Sequence, residues 1–444
     1  MGVLFGTDGV RGIANKDLTP ELAYKLGKAG AFSLSNGKCG SNFILGRDTR
    51  ISGGMLASAL IAGMCSVGIN VIDCGVLPTP AVAHLTKVTG ASGGVMISAS
   101  HNPIEDNGIK FFQSGGLKLE DEMQSEIENL VNDDCKTVPV VYGSSVGRIY
   151  DGGKYITHYI EYITNSVNAD LSGLKIAIDC ANGATSHVAE MVFRNLGANV
   201  SVFFNEPDGI NINAGCGSTH PEALSKIVVE DGYDAGLAYD GDGDRLIAID
   251  EQGNILDGDY IMAICGLYMA QKGDLRNNTV VASIMSNMGL EIALKKQGIS
   301  MLRTKVGDRY ILEELLKGDY NFGGEQAGHI IFKDYMVTGD GIFTSLYLTS
   351  ILARKGRHLS ELGSVMEKLP QVLVNVKVSN KESYNKSDNF KKVLFEAEKK
   401  LRNTGRILVR PSGTEPIVRV MVEGVDVNEI QEIANAVANA MKSI

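Results

Sequence analysis

A chain of 444 residues with 42 Lys and Arg against 52 Asp and Glu, a formal charge of −10, repels a phosphate backbone, which excludes nucleic acid as a first reading of its partner. With 44% hydrophobic and 21% charged residues it can bury sizeable cores, which excludes wholesale disorder, and its length predicts about three domains or four smaller ones. Seven scattered cysteines without a C-x-x-C pair give no sign of a zinc or redox site and fit the reduced thiols of a cytoplasmic protein.

The N-terminal MGVLFGTDGVRG has neither the basic start nor the apolar run of an export signal, and Gly6 stands where a myristoylation signal needs Ser or Thr. Arg11 in this run, and Arg47 and Arg50 in GRDTR, put cations near glycine-rich turns, although surface ion pairs explain isolated arginines equally well. The stretch from Ile51 to Ile72 carries no charge and is long enough to span a bilayer. Gly68 and Asn70 break it, which predicts a buried helix followed by a short strand over VIDCG and no membrane partner.

Next, the apolar run GVMI leads into Ser98-Ala99-Ser100-His101-Asn102-Pro103, with Asp106-Asn107-Gly108-Ile109-Lys110 beyond. A strand ending in such a loop is where a nucleophile is displayed, and it is also a common turn composition. Adjacent Ser and His do not by themselves make a hydrolytic dyad, because neighbouring side chains on extended backbone diverge.

NFILGRDTR to GINVIDCG, LKIAIDCANG to GANVSVFF and TVVASIMSNMG to GISMLRTKVG share one plan. Each reads as a strand, a turn, an amphipathic helix and a second strand entered through glycine (Gly68, Gly197, Gly298). The units lie too far apart for a solenoid repeat and predict related α/β domains with mostly parallel sheets.

Asp240-Gly241-Asp242-Gly243-Asp244-Arg245 falls between the short apolar runs GLAY and LIAI. Alternating glycines let three carboxylates turn toward one point, which calls for a cation. The run nearly matches a calcium EF-hand but has Arg245 where that loop needs Gly, and strands flank it. Three carboxylates with an open position suit Mg²⁺ shared with a phosphate oxygen, against the plainer reading of a solvated acidic hairpin.

Glu325 and His329 in GGEQAGH could hydrogen-bond sugar hydroxyls or move a proton, while a lone His is commonly structural. From about Pro370 the pattern alternates, which predicts a smaller antiparallel α+β domain. Its hairpin tip, Arg410-Pro411-Ser412-Gly413-Thr414-Glu415-Pro416 with Arg419 beyond, reads as a phosphate grip or as an ordinary turn held by two prolines. Linkers are expected at Asp151-Gly152-Gly153 and around Lys368, Leu369 and Pro370, with none near Glu251. The expected architecture is three related mixed α/β domains (1–151, 152–250, 251–368) and a smaller C-terminal α+β domain (369–444).

Taken together and in this order, SASHNP, DGDGDR, GEQAGH and RPSGTEP closely resemble the α-D-phosphohexomutase superfamily over essentially the whole chain. Asn211-Ile212-Asn213, GCGSTHPE at 215–222, Met285-Ser286-Asn287 and KVGDRY at 305–310 look like its bacterial branch acting on glucosamine phosphates. The resemblance implies four domains around a central cleft and an isomerase that interconverts glucosamine 6-phosphate and glucosamine 1-phosphate, feeding UDP-N-acetylglucosamine synthesis. Glucose and mannose phosphates are the nearest alternative substrates.

The same resemblance implies a phosphoserine at Ser100, Mg²⁺ held by Asp240, Asp242 and Asp244 against it, and glucosamine 1,6-bisphosphate as intermediate and primer. It makes His101 and Lys110 acid/base candidates and has Arg11 and Arg245 neutralise the moving phosphoryl group. Glu325 and His329 would face the sugar hydroxyls, and Arg410, Ser412, Gly413, Thr414 and Arg419 would hold the phosphate that does not react. It also allows a homodimer. Ala327 departs from the Ser usual in the sugar loop, so one sugar contact is expected to be missing. A metal-dependent phosphatase and a non-catalytic sugar-phosphate or calcium-binding module are the rival classes.

Overall fold

The computed structural model describes residues 4–6, 8–378, 387–402, 404–411 and 417–442. The chain forms two compact units, Met1–Met285 with Gly298–Val365, and Ser286–Gln297 with Met366–Ile444.

Among the described residues the first unit holds three sheets. Its six-stranded sheet comprises β1 (Val10–Ile13), β2 (Asn42–Arg47), β3 (Asn70–Val76), β4 (Gly93–Ile97), β5 (Asp106–Gln113) and β6 (Ile149–Asp151), in the order β1-β5-β4-β2-β3-β6. Helices α1 (Pro20–Leu34), α2 (Ser52–Ser66), α3 (Thr79–Val88) and α4 (Asp121–Asn132) accompany it. A Cβ on Gly27 would lie 2.3 Å from Leu60 O, and one on Gly63 2.1 Å from Tyr24 O. Small residues thus let α1 and α2 touch backbone to backbone, which buries one face of the uncharged stretch, while Ile51 and Ser58 stay exposed. No helix among the described residues is long and apolar enough to cross a membrane.

The second sheet orders β7 (Lys175–Asp179), β8 (Asn199–Phe203), β9 (Ala235–Tyr239), β10 (Leu246–Asp250) and β11 (Ile255–Leu256) as β11-β10-β9-β7-β8, with α5 (Lys154–Ser166), α6 (Ala189–Asn195) and α7 (Glu222–Asp231). The region then runs through α8 (Gly258–Lys272) into the third sheet. There β12 (Thr279–Ser283), β13 (Ser300–Thr304), β14 (Phe322–Gly324) and β15 (Ile330–Phe332) run β13-β12-β14-β15. The chain between β12 and β13 carries α9 (Met288–Lys296), which belongs to the second unit, and α10 (Asp308–Lys317), α11 (Gly341–Lys355) and α12 (Leu359–Gly363) follow in the first. Gly68, Gly197 and Gly298 have φ of 82°, 86° and 70°. This left-handed conformation ends a helix and turns the chain into the next strand.

The sheets are more mixed than the expected mostly parallel ones. Central pairs such as β2–β3, β7–β8 and β12–β13 are parallel. In each sheet, however, a strand returns antiparallel beside its neighbour: β5 on β4, β10 on β9 and β15 on β14. These three hairpins enclose residues 98–105, 240–245 and 325–329, so the three loops singled out by sequence occupy one equivalent position in three related sheets.

In the second unit β16 (Gln371–Lys377), β17 (Gly405–Pro411) and β18 (Ile417–Gly424) form an antiparallel sheet in the order β16-β18-β17. It is covered by α13 (Asp388–Leu401) and α14 (Val427–Lys442) over a core of Val376, Phe390, Val418, Val420, Val422, Ile430 and Val437. Asn287 pins the Pro370 junction, its side chain bonding both the Leu369 N–H and the Leu369 carbonyl at 3.0 Å.

Candidate active site

Buried and apolar along its whole length, β4 delivers the 98–105 loop to the end of the sheet. Ser100 there is almost fully buried, with a left-handed φ of 54°. That conformation is uncommon for a residue with a side chain and persists only where the surroundings impose it. The Ser98 hydroxyl accepts the Ser100 N–H at 2.8 Å and donates to Asp48 at 2.6 Å. Asp48 in turn forms a buried ion pair with Arg50 at 2.9 Å. Arg50 donates to the carbonyls of Ser100, Asn102 and Asp106 at 3.0, 2.7 and 3.0 Å, and to that of Pro103. Arg50 is therefore a buried clamp and not the surface ion pair that a lone arginine suggests; Arg47, half-exposed, does pair with Asp73 at 3.0 Å. The Asn213 amide also donates to the Ser100 carbonyl at 2.9 Å, and a Cβ on Gly241 would come within 2.6 Å of that same oxygen.

This close approach of the two hairpin loops sets Ser100 Oγ 2.6 Å from Asp240 Oδ2 and 3.2 Å from His101 Nδ1. Asp240, Asp242 and Asp244 are buried, each with one carboxylate oxygen within 4.8 Å of the others. Burial, with Asp244 and Asp242 adding repulsion, pushes the Asp240 carboxyl well above its usual range. Asp242 Oδ2 accepts from Lys110 Nζ at 2.8 Å and Thr79 Oγ1 at 2.5 Å. Asp242 Oδ1 and Asp244 Oδ1 are buried without a hydrogen-bond partner among the described residues. Buried carboxylate oxygens left bare are costly, and a hard divalent cation is the ligand that such an all-oxygen set fits.

An open cavity of about 440 Å³ lies in front of this cluster, lined by Arg11, His101, Arg245, Glu325 and His329. Arg11 Nε and Arg245 Nε are buried without hydrogen-bond partners among the described residues. Burial, Arg245 and Arg11 push the His101 ring down to about 4, so it is neutral at pH 7. Lys110 is the opposite case: burial works against its charge, but Asp242 and Asp8 outweigh it and hold the ammonium well above the ordinary lysine range. Glu325 accepts the Gly307 N–H at 2.9 Å. His329 Nδ1 lies 3.5 Å from Asp244, and Nε2 accepts the Gly339 N–H at 3.0 Å. Two carboxylates favour the charged ring, whereas the Gly339 N–H facing Nε2 fixes the neutral one, which we take as the resting form.

The predicted phosphate residues belong to the second unit. Arg410 and Arg419 stand directly opposite each other on β17 and β18. Burial and Arg419 lower the Arg410 guanidinium from its ordinary value. Like charges at directly paired positions repel, so the pair favours an anion. Ser412, Gly413 and Thr414 lie outside the described residues.

Several site residues escaped sequence reasoning. Asp8, Asp308 and Asn213 sit in runs quoted above (FGTDGVRG, KVGDRY, NIN), so a composition signal was present without a role. Thr79 and Lys118 carry no local signal at all; only folding brings Thr79 to Asp242, 163 positions away.

Comparison with known proteins finds the four segments of one family. Phosphoglucomutase/phosphomannomutase alpha/beta/alpha domains I, II and III match residues 2–137, 154–253 and 257–369, and the C-terminal domain matches 373–440. A phosphoglucosamine mutase of Clostridium botulinum (strain Hall) is 54% identical over all of this chain and 99% of its own length. One of Pelotomaculum thermopropionicum is 53% identical over the full length of both chains. Among solved structures, a phosphoglucomutase/phosphomannomutase family protein of Burkholderia thailandensis superposes with a TM-score of 0.82 at 23% identity, covering 98% of this chain and 97% of that one, a likeness of fold.

Proposed function

The chain belongs to the phosphoglucomutase/phosphomannomutase family, and on that premise we propose that it interconverts glucosamine 6-phosphate and glucosamine 1-phosphate by passing a phosphoryl group through Ser100. The observation that carries this reading is Ser100 Oγ at 2.6 Å from Asp240 in a three-carboxylate cluster, facing a cavity that bears two arginines. The two full-length mutase relatives supply the amino-sugar substrate.

In the first half-reaction the phosphoserine P–O bond breaks and the phosphoryl group passes to the free sugar hydroxyl, whose proton goes to the released Ser100 Oγ, giving glucosamine 1,6-bisphosphate. In the second, the P–O bond at the other end of the bisphosphate breaks, Ser100 Oγ takes that phosphoryl group, and its proton passes to the sugar oxygen left behind. Phosphoryl transfer asks for alignment and charge neutralisation more than covalent help. Arg11, Arg245 and Lys110 serve the second need. Lys110, held cationic between two carboxylates, acts as a fixed charge, whereas neutral His101 beside Ser100 Oγ suits proton movement. Asp240, Asp242 and Asp244, with an oxygen on Ser100, would hold Mg²⁺, which when bound supplies Lewis-acid neutralisation of the transferred group. Glu325 and His329 would orient the sugar hydroxyls, and Arg410 and Arg419 with Ser412, Gly413 and Thr414 would grip the phosphate that stays put.

The test joins mass and rate. Intact mass before and after phosphatase treatment should show one removable phosphate mapping to Ser100, and Ser100→Ala should abolish turnover while leaving the fold intact. Faster turnover of glucose or mannose phosphate than of glucosamine phosphate would overturn the substrate assignment. Steady release of inorganic phosphate without a bisphosphate primer would instead make the protein a phosphatase.

A further inference from the structure

Charged groups around the cavity join into a chain of ion pairs. Starting from the acidic cluster, Asp242 Oδ2 meets Lys110 Nζ at 2.8 Å, and Lys110 meets Asp8 Oδ2 at 2.9 Å. Asp8 Oδ1 then meets Lys118 Nζ at 2.5 Å, and Lys118 meets Asp308 Oδ2 at 2.5 Å. Beyond it Asp308 Oδ2 lies 3.4 Å from His329 Nε2, which accepts the Gly339 N–H and so bonds no carboxylate, and His329 Nδ1 lies 3.5 Å from Asp244 Oδ2. Anion and cation alternate from Asp242 to Asp308. The chain of ion pairs draws on the second hairpin loop, Asp8, β5, the turn after it and the start of α10.

Lys118 is the member with no other task. It lies outside the hairpin loops, its side chain is 18% exposed, and its ammonium pairs with the carboxylates of Asp8 and Asp308. Through Asp8 it acts on two cations at once, because Asp8 Oδ2 receives Arg11 Nη2 at 2.5 Å and Lys110 at 2.9 Å. With Lys118 on Oδ1, the Asp8 carboxylate cannot rotate without breaking a charge-assisted bond. We infer that Lys118 is a positioning residue: by bridging Asp8 and Asp308 it fixes the carboxylate from which Arg11 and Lys110 are aimed at the transferring phosphoryl group, and ties that wall of the cavity to the wall carrying Asp308 and His329. The inference rests on the phosphoryl-transfer reading of the same site.

Its consequence is a loss in the chemical step more than in binding. Lys118→Met keeps the length of the stem and removes the charge, freeing Asp8 to turn and Arg11 to move with it, while Lys110 keeps only its bond to Asp242. Steady-state kinetics with glucosamine 6-phosphate and a bisphosphate primer should show kcat down by at least about tenfold with KM changed less than about threefold. Lys118→Arg, which can still reach two carboxylates, should recover most of the rate. The double variant Lys118→Met/Asp8→Asn should be no slower than the slower single one, since Lys118 acts through Asp8.

Circular dichroism and melting on each variant check the fold. Wild-type kcat in folded Lys118→Met would overturn the inference, as would a loss confined to KM or losses in the double variant that multiply. The wild-type enzyme tests the underlying reading separately: if it prefers another hexose phosphate, the same variants are compared on that substrate.

Discussion

Ser100 shows what a single residue costs and what keeps it in place. A left-handed backbone at a side-chain-bearing residue carries about 1–3 kcal/mol of strain, so the geometry at Oγ depends on the groups that hold the loop. Two of these, Arg50 and Asn213, converge on the Ser100 and Asn102 carbonyls. Asn213→Ala leaves the fold and the acidic cluster in place but removes one of the two clamps. We expect kcat to fall about ten- to hundredfold with stability lower by only about 1–2 kcal/mol, measured by turnover and by urea midpoints. An unchanged kcat would show that Arg50 suffices alone. The residues legible in the sequence were those whose chemistry is written in local spacing, Asp240, Asp242 and Asp244 above all. Asp48, Arg50 and Thr79 work through contacts that only tertiary packing creates, and a lone buried arginine looks the same in sequence as one on the surface.

Among the elements, the alternation of strand, turn, helix and strand was readable because it follows hydrophobic period and glycine punctuation. The returning antiparallel strands were not. β10 and β15 are buried along their whole length and read as apolar runs, as parallel strands do, whereas β5, buried along all but its ends, carries Asp106, Asn107 and Lys110 and has no clear strand pattern. Burial also makes one helix pair sensitive to acid. His84 on α3 stacks on Tyr162 of α5 with ring centroids 4.0 Å apart, and His158 and Tyr159 of α5 lie close by. Burial, then His158 and Lys87, lower the His84 ring from 6.5 to about 4. Because the folded value lies below the unfolded one, the unfolded chain binds more protons between these limits, and stability is lost as pH falls from about 6.5 toward 4. At pH 5 this amounts to about 2 kcal/mol. Denaturant midpoints at pH 7.5 and pH 5 should therefore differ less in His84→Gln than in the wild type. Equal pH dependence in the two proteins would exclude His84 as the cause.

On the scale of the molecule, length alone favoured three domains, whereas four sheets among the described residues and four family segments make four. Net charge was silent about the site, where buried carboxylates and cations alternate. The division into two units has a thermodynamic consequence, because all three cluster aspartates lie in the first unit and the second has its own core. Multi-domain chains commonly unfold in more than one step. A ligand that binds only the folded first unit stabilises it by RT ln(1 + [L]/Kd), about 2.7 kcal/mol at about a hundredfold excess over Kd. Calorimetry should then resolve at least two transitions, and adding Mg²⁺ to chelator-treated protein should raise only the one that Asp242→Asn leaves insensitive to the metal. The other transition should keep its temperature in both proteins. A single transition that moves as a whole would show that the units unfold together, and no shift in any transition would remove the acidic cluster as the metal site. The readout needs no substrate, so it separates the question of where the metal binds from the question of which sugar is turned over.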